Sequence, residues 1–515
     1  MRWEVTGMND RERETLSDAD FDALLESSVS EYPPEDVAAD VTPWKKAMNR
    51  VLTGMALTAI TLNFLCLNYI LPAIGTVLLL LGFRALRHEN RWFGICFAVT
   101  LVRAAYYFPV LLINTTVCQS ATYASVGNAL NAASILLTLI ELICLWRGLL
   151  SVQKKAGLPP RAGAAAALIG WYVVVALLAY ARYSGWLAAV GMLAGYGFIL
   201  RSLVKLSDEL DEAGYAVSPA SVRLTDRCVV LAVVLFLLVG SVCGYIFGGR
   251  YPMEWTAQET GETENAAEIK AHLLRLGFPE YVLRDLTAED IASCDGAMLV
   301  VADTADRPLN NGRKVTTEYG SGSGRYIEEH TVYDVNELRI TGIGVQVSAE
   351  PERWVIFHHF LWTEAPDFYG TESVRISPVY QDIPDGWTSA GEPSGRLLCD
   401  KDGAVLAANY HFLGAQSFTS DSIIWGSRTS MSIFAEFSLP RNAGNYRGYV
   451  TYPVEGLQDI RYMISSWMDY THQRGWLQYP VKTAAEAQMA GNWNTGAFIT
   501  AQHAFQYFPE DGSGE

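Results

Sequence analysis

Two charges of opposite sign stand inside otherwise apolar stretches of this 515-residue chain. Arg103 comes twelve residues after Arg91, and Glu141 comes six residues before Arg147. At 1.5 Å of rise per residue, they lie roughly 18 Å and roughly 9 Å from the basic ends of their segments. The two segments are consecutive, so as helices they run antiparallel. A long Arg side chain covers much of the offset. A salt bridge between them is the economical reading, because an unpaired charge in lipid is costly, and a proton or ion pathway is the sharper one.

Other residue types with chemical potential do not gather into a pattern. His358 and His359 are adjacent in an expected strand and so face opposite sides, which prevents both from ligating one metal. His272, His330, His411, His472 and His503 are far apart in sequence. No HExxH, GxSxG or GxxxxGK[ST] signature occurs. The expectation is a protein that is not an enzyme, with no catalytic, cofactor-binding or metal-binding residue nominated. Six cysteines belong to the apolar region at no metal-ligand spacing, and only Cys294 and Cys399 lie beyond it. Those two form one disulfide, if that part is exported, or stay as two free thiols; both readings stand.

The elements that must position these residues are apolar helices. Seven spans fit the hydropathy: Val51 to Leu67, Tyr69 to Phe83, Trp92 to Ile113, Asn128 to Trp146, Ala164 to Tyr180, Gly185 to Leu200 and Cys228 to Phe247. Charge favours a hairpin for the first pair over one long helix interrupted at Pro72. Lys45, Lys46 and Arg50 flank one end of it, and Arg84, Arg87 and Arg91 flank the other. A hairpin keeps both basic clusters on one side, as the positive-inside bias requires. The stretch from Asn114 to Gly127 carries no charge and reads as external, whereas Lys154, Lys155, Lys205 and Arg223 mark internal connections. Arg182 is the one basic exception. Seven crossings therefore place the N-terminus in the cytoplasm and the C-terminal half outside the cell membrane.

Small-residue stripes mark two spans. Gly240, Gly244 and Gly248 recur every fourth residue, as do Gly191 and Gly195. Such stripes allow close helix approach, either within the chain or at a dimerising or moving interface. Before the first span, Ser17 with Asp20 resembles a capping box, and Phe21, Leu24 and Leu25 share one helical face. That short acidic helix is a candidate for docking a cytosolic protein, or it rests on the spans or does not persist.

Beyond residue 248 the pattern changes. A helical pair is expected from Glu264 to Leu276 and Glu280 to Leu286, with Gly277 and Pro279 ending the first and Thr287 capping a third helix. From Arg325 onward, short β-branched and aromatic runs bounded by Gly, Pro, Asp or Asn predict strands and a sandwich. Phe434–Leu439 and Arg447–Tyr452 read as a hairpin, Gln458–Thr471 as an amphipathic helix, and Gly320–Gly324 as a flexible insertion. Trp354, Trp362, Trp387, Trp425, Trp467, Trp476 and Trp493 read mostly as core, with a surface subset able to stack on a sugar or grip a peptide.

The fold expectation is thus a membrane helical bundle of about seven spans, followed by a sandwich-like, mostly-β extracytoplasmic domain with a small N-terminal helical subdomain. Boundaries fall at 1–46 (acidic tail), 47–248 (spans), 249–295 (helical subdomain) and 296–515 (β domain). From Arg250 onward, 36 acidic residues outweigh 19 basic ones. Phosphate binding needs clustered Lys and Arg, so nucleic acid is excluded as a partner. The partners expected are membrane lipid, a cytosolic protein at the tail and an envelope glycan or peptide. A transmembrane sensor or regulator is the leading class. A transporter or channel component using Arg103 and Glu141 is the alternative, and a surface enzyme comes third.

Overall fold

The computed structural model describes residues 42–508, apart from 60, 61, 63, 182, 184, 218–223, 259–263, 320–325, 382–385, 423–425, 458–462, 476–477 and 492–493. The candidate tail helix with Phe21, Leu24 and Leu25 lies outside the described residues, as do Arg182, Gly320–Gly324, Trp425, Trp476 and Trp493. The chain forms two compact units. One comprises residues 1–111 and 123–237, and the other residues 112–122 and 238–515.

The helical elements in chain order are α1 (Trp44–Ala59), α2 (Leu67–Leu86), α3 (Arg91–Ile113), α4 (Gln119–Lys155), α5 (Gly163–Tyr180), α6 (Trp186–Glu212) and α7 (Asp226–Gly248). Six of these, α2 to α7, are long and apolar enough to cross a membrane. α1 has 16 residues and falls short of that length. A count of seven crossings thus rests on α1. The α4 helix, at 37 residues, begins well before the expected Asn128 because its polar first turns are still helical. Most of the apolar surface of α7 is left outward, with no residue of the helix buried. Water would tolerate so large a patch poorly, whereas lipid solvates it.

Within the helical unit, α1 and α2 pack as the expected hairpin, and glycine makes that possible. A Cβ at Gly54 would stand 2.8 Å from the Gly75 carbonyl oxygen, and one at Gly75 would stand 2.7 Å from the Gly54 carbonyl. The sequence reading missed this pair. The basic ends of the helices converge: Arg50 Nη1 meets Asp226 Oδ2 at 2.7 Å and Lys45 Nζ meets Asp208 Oδ1 at 2.9 Å. Strands β1 (Thr42–Pro43) and β2 (Ala216–Val217) pair at the same end. Trp44 is fully buried there, packed on Phe93 and Tyr215.

The second unit is mostly β. One sheet contains β3 (Thr256–Ala257), β4 (Leu299–Arg307), β7 (Leu338–Ala349), β8 (Glu352–Trp362), β10 (Trp387–Ser389), β11 (Ser394–Lys401), β12 (Ala404–Ala408) and β15 (Gly444–Gly456). Its order is β3-β12-β11-β15-β8-β7-β4, with β10 added beside β15. A second sheet has the order β13-β14-β9-β16-β17, from β9 (Glu372–Ser377), β13 (Phe412–Ser422), β14 (Gly426–Phe437), β16 (Ile464–Gln473) and β17 (Phe498–Tyr507). A separate ribbon pairs β5 (Arg313–Tyr319) with β6 (Tyr326–Val332). The two larger sheets share one core, in which Phe360 contacts Phe437 and Tyr470 at centroid distances of 5.6 and 4.9 Å. Gly342 permits this approach, since a Cβ there would lie 2.5 Å from Phe505 Cβ.

The opposite face of the eight-stranded sheet is covered by α8 (Glu264–Arg275), α9 (Glu280–Leu283) and α10 (Ala288–Ala292), through Ile269, Leu273, Leu283, Ile343, Val355 and Phe357. The expected terminators do their work. Phe278 N donates to Leu273 O at 3.0 Å and Gly277 N to Leu274 O at 3.2 Å, a Schellman closure around a Gly277 φ of 94°. Thr287 Oγ1 accepts from Asp290 N at 3.1 Å.

Two expectations are overturned. β14 and β15 are no hairpin, because β14 pairs with β13 and β9 while β15 pairs with β8, β11 and β10. The connection after Phe437 crosses between sheets instead of turning within one, and its Ser438 and Leu439 are buried on the way. Of the amphipathic helix expected at Gln458–Thr471, residues 458–462 lie outside the described residues and the part from Ile464 on is strand β16, with Ile464, Ser466, Met468 and Tyr470 buried on one face. Serine in a core position obscured the period of two. A short helix that was not foreseen, α11 (Ala484–Met489), starts with a full capping box. Thr483 N donates to Glu486 Oε2 at 2.9 Å, and Glu486 N donates to Thr483 Oγ1 at 3.2 Å.

Candidate functional site

In the helical unit, α3 carries Arg103 and α4 carries Glu141. Their side chains meet, with Arg103 Nη1 2.6 Å from Glu141 Oε2. The Glu141 residue is 4% exposed. Cys96 and Thr100, on the same helix as Arg103, turn toward this region: Cys96 Sγ donates to Glu141 O at 3.5 Å. The pair borders a cavity of about 320 Å³ that includes Ser134, Thr138, Trp171 and Tyr196 in its wall. A second cavity of about 270 Å³ lies against Arg103 as well, lined by Tyr106, Tyr107 and Asn131. Arg103, Ser134 and Thr58 belong to both walls. A guanidinium has five N–H donors, and the described bonds of Arg103 engage only the carboxylate of Glu141. Both Arg103 and Glu141 border the larger cavity, whereas only Arg103 borders the smaller one.

The glycine stripes separate into two kinds. Gly240 and Gly248 of α7 face Leu112 and Thr116, where an added Cβ would come within 2.5 Å of a side-chain carbon. Gly244 faces Thr115 more closely still. This stripe therefore packs inside the chain, against the connection between α3 and α4. An added Cβ at Gly191 meets nothing within 4 Å, and one at Gly195 meets only Trp171 at 3.9 Å.

The α3–α4 connection belongs to the β-rich unit. Val117 N donates to Gly248 O at 2.8 Å, and Val481 N donates to Asn114 O at 2.8 Å. Gln119 Nε2 donates to Val481 O at 2.7 Å, Ser120 Oγ donates to Glu486 and Tyr245 Oη donates to the Gln478 carbonyl. Val117, Tyr251 and Val481 form an apolar knot among these bonds. Tyr251 also donates through Oη to Glu436 Oε2 at 2.6 Å and stacks on His411 at 4.5 Å. Residues 112–122, the end of α7 and segment 478–486 thus form a clamp, which the sequence reading left as a plain external loop.

The β-rich unit buries several titratable groups. His358 and His359 do face opposite sides. His358 Nε2 lies 2.7 Å from Ser466 Oγ between the sheets, and His359 Nε2 lies 2.9 Å from Asp285 Oδ2 under the helices. Arg447 Nε also reaches Asp285, at 2.9 Å, and its Nη1 reaches Asp400 Oδ1 at 2.9 Å. Burial alone would raise the Asp285 carboxyl, but His359 and Arg447 outweigh it and hold the group low. Burial pulls His358 down to about 3, with His503 adding to the effect. Glu372 is pushed up by burial, although His472 Nδ1 stands 2.8 Å from its Oε1. Cys294 and Cys399 are both free, buried thiols in different core clusters. Burial raises them to about 12 and about 11, so both stay protonated and unreactive at neutral pH.

Neither a family model nor a curated protein matches this chain. Its function has to be argued from its own geometry. Trp354, Trp362 and Trp387 are core residues, and Trp467 is exposed on β16. Ser466, His358 and Tyr452 form a hydrogen-bonded chain, but all three are fully buried between the sheets and meet no solvent.

Proposed function

We propose that this is a cell-membrane protein whose β-rich domain lies outside, binds an envelope ligand and relays occupancy through its helices to the acidic cytoplasmic tail. Apolar helices followed by a β-rich domain support the general class. The observation that carries the relay is the clamp. The β-rich unit grips residues 112–122, and the helices continuing from that segment are α3 and α4, which hold Arg103 and Glu141. A shift in segment 478–486 therefore acts on the two helices that share the buried ion pair. Sidedness follows from the basic helix ends, by the positive-inside bias. The reading is of binding, not turnover, since the one hydroxyl–imidazole chain described above is sealed in the core.

The test is co-purification from membranes. Deleting Met1 to Asp40 is expected to remove a cytosolic partner while insertion persists. An unchanged partner set rules out the tail as the output. An impermeant amine label on sealed cells should modify Lys401 and spare Lys154; the reverse pattern inverts the orientation.

Transport is the second reading, favoured by the two cavities that share Arg103. Under it, the Arg103→Ala/Glu141→Ala double variant loses flux while remaining folded. A double variant with full flux ends that reading.

A further inference from the structure

The larger cavity beside Arg103, about 320 Å³, falls in the size range of sites for small organic ligands. Every helix from α1 to α6 contributes to its wall. Met55, Leu79, Leu142, Leu145, Leu168 and Val175 make much of that wall apolar. Two aromatic side chains spend their polar ends on backbone. Tyr196 Oη donates to Met55 O at 2.8 Å, and Trp171 Nε1 donates to Met192 O at 2.9 Å. Their rings, 4.7 Å apart between centroids and tilted by 35°, are left to offer carbon. Thr58 Oγ1 donates to Met55 O at 3.0 Å and Thr138 Oγ1 to Ser134 O at 2.8 Å, so these hydroxyl protons are spent as well.

The unspent donors are concentrated on Arg103. One of its five N–H groups goes to Glu141 Oε2 at 2.6 Å, which leaves four without a partner among the described residues. Its side chain is 21% exposed, against 6% for Glu141. Ser134 and Tyr172 add two hydroxyls that have no hydrogen-bond partner among the described residues. Read as a span, α3 places Arg103 roughly 18 Å from Arg91, near the middle of a hydrocarbon layer ~30 Å thick. Unmet N–H groups at that depth are costly and call for an acceptor.

Charge decides which acceptor. Glu141 already balances Arg103, so a carboxylate or phosphate would bring an unbalanced negative charge into a low-dielectric site. An ammonium would face the guanidinium and add donors where donors are in surplus. A neutral ligand with carbonyl oxygens supplies acceptors and no charge. A flat apolar body suits the leucine and aromatic wall. A quinone combines these properties: two carbonyl oxygens on a planar ring, and no donor.

We infer that this cavity binds the ring of a lipid-soluble quinone, with a carbonyl oxygen accepting from the free N–H groups of Arg103. The proposal deepens the transport reading by naming the ligand class, and it rests on the helices lying in lipid. Binding does not require that the ligand cross.

The test is calorimetric titration of the full chain in detergent at neutral pH, with the titration into empty micelles subtracted. The probe is 2,3-dimethyl-1,4-naphthoquinone, whose substituted ring does not add to thiols. Its controls are 2,3-dimethylnaphthalene, the same shape without carbonyls, and 2-naphthoate, a flat anion. The quinone should bind saturably and about tenfold or more tighter than either control, as expected for a hydrogen bond to a charged donor. The Arg103→Met/Glu141→Met variant removes both charges together, and it should bind the quinone no better than the hydrocarbon. Equal binding of quinone and hydrocarbon overturns the inference, as does tighter binding of the naphthoate. A folded double variant that binds the quinone unchanged also overturns it. The three-ligand comparison on the parent chain decides the matter even where the variant does not fold. A parent chain that binds the quinone without any flux loses transport and keeps the site. One that carries another solute yet ignores the quinone loses the site and keeps transport.

Discussion

The two units each bury an Arg–carboxylate pair, and they do so differently. In the β-rich unit Asp285 is enclosed: His359 and Arg447 take its carboxylate oxygens, and Arg396 Nε donates to its backbone carbonyl at 3.0 Å. Arg447 in turn is steadied by Asp400. In the helical unit the Arg103–Glu141 pair borders one cavity, and Arg103 borders a second. The Asp285 cluster is a fastener: both oxygens of its carboxylate are bonded, although the buried Nδ1 of His359 has no hydrogen-bond partner among the described residues. The Arg103–Glu141 pair keeps donors and volume unfilled.

Three measurements would break or sharpen this contrast. The largest effect is expected at the fastener. Asp285→Ala strands two buried cationic or imidazole groups, and it should destabilise the β-rich unit by about 3–5 kcal/mol in denaturant unfolding. A loss under about 1 kcal/mol would mean that the cluster is not structural.

Next in size is the difference between the glycine stripes. Gly244→Ala forces a methyl onto Thr115 and should cost about 1–3 kcal/mol. Gly191→Ala enters open space, helps the helix and should stay within about 0.5 kcal/mol of the parent. Equal costs, read from thermal melts in detergent, would remove the distinction between a packed stripe and a free one.

The most gradual effect is on pH dependence. His358 stays neutral in the fold down to about 3, whereas an unfolded imidazole takes a proton near pH 6.5. Between those values the unfolded chain binds the extra proton. Stability is therefore full above pH 6.5 and falls as the pH drops toward 3, by up to ~1.4 kcal/mol per pH unit. His358→Gln should flatten that slope. An unchanged slope would assign the acid sensitivity to other groups.

Much of the fold was legible because it follows from local rules. Apolar length gave the helices, basic ends gave the α1–α2 hairpin, and Gly277 with Pro279 gave the end of α8. The placement of Arg103 and Glu141 opposite one another followed from their depth on antiparallel neighbours. What could not be read depends on distant pairing. β14 and β15 look like a hairpin because each alternates well and the connection is short. Only the competing partners β8, β9, β11 and β13 show why they separate. The part of Gln458–Thr471 that is strand β16 reads as a helix in sequence because Ser466 occupies a core position, where it accepts from Tyr452 Oη at 2.7 Å. Nothing in the sequence near Gln119 or Val481 announces the clamp, since most of its bonds are to backbone carbonyls remote in sequence.

That last separation bears on biosynthesis. Ser120 finds Glu486 across 366 positions. Phe505, which fills the notch at Gly342, belongs to the final strand. The ribosome therefore delivers the gripped segment long before its grip exists. Until the last strands emerge, the sheet faces stay unsealed and prone to wrong pairing, as expected for contacts so remote in sequence. A chain cut short even a few dozen residues from its end would lose both the closing strand and the handhold on the helices, so quality control at the membrane would meet it as an unfinished molecule.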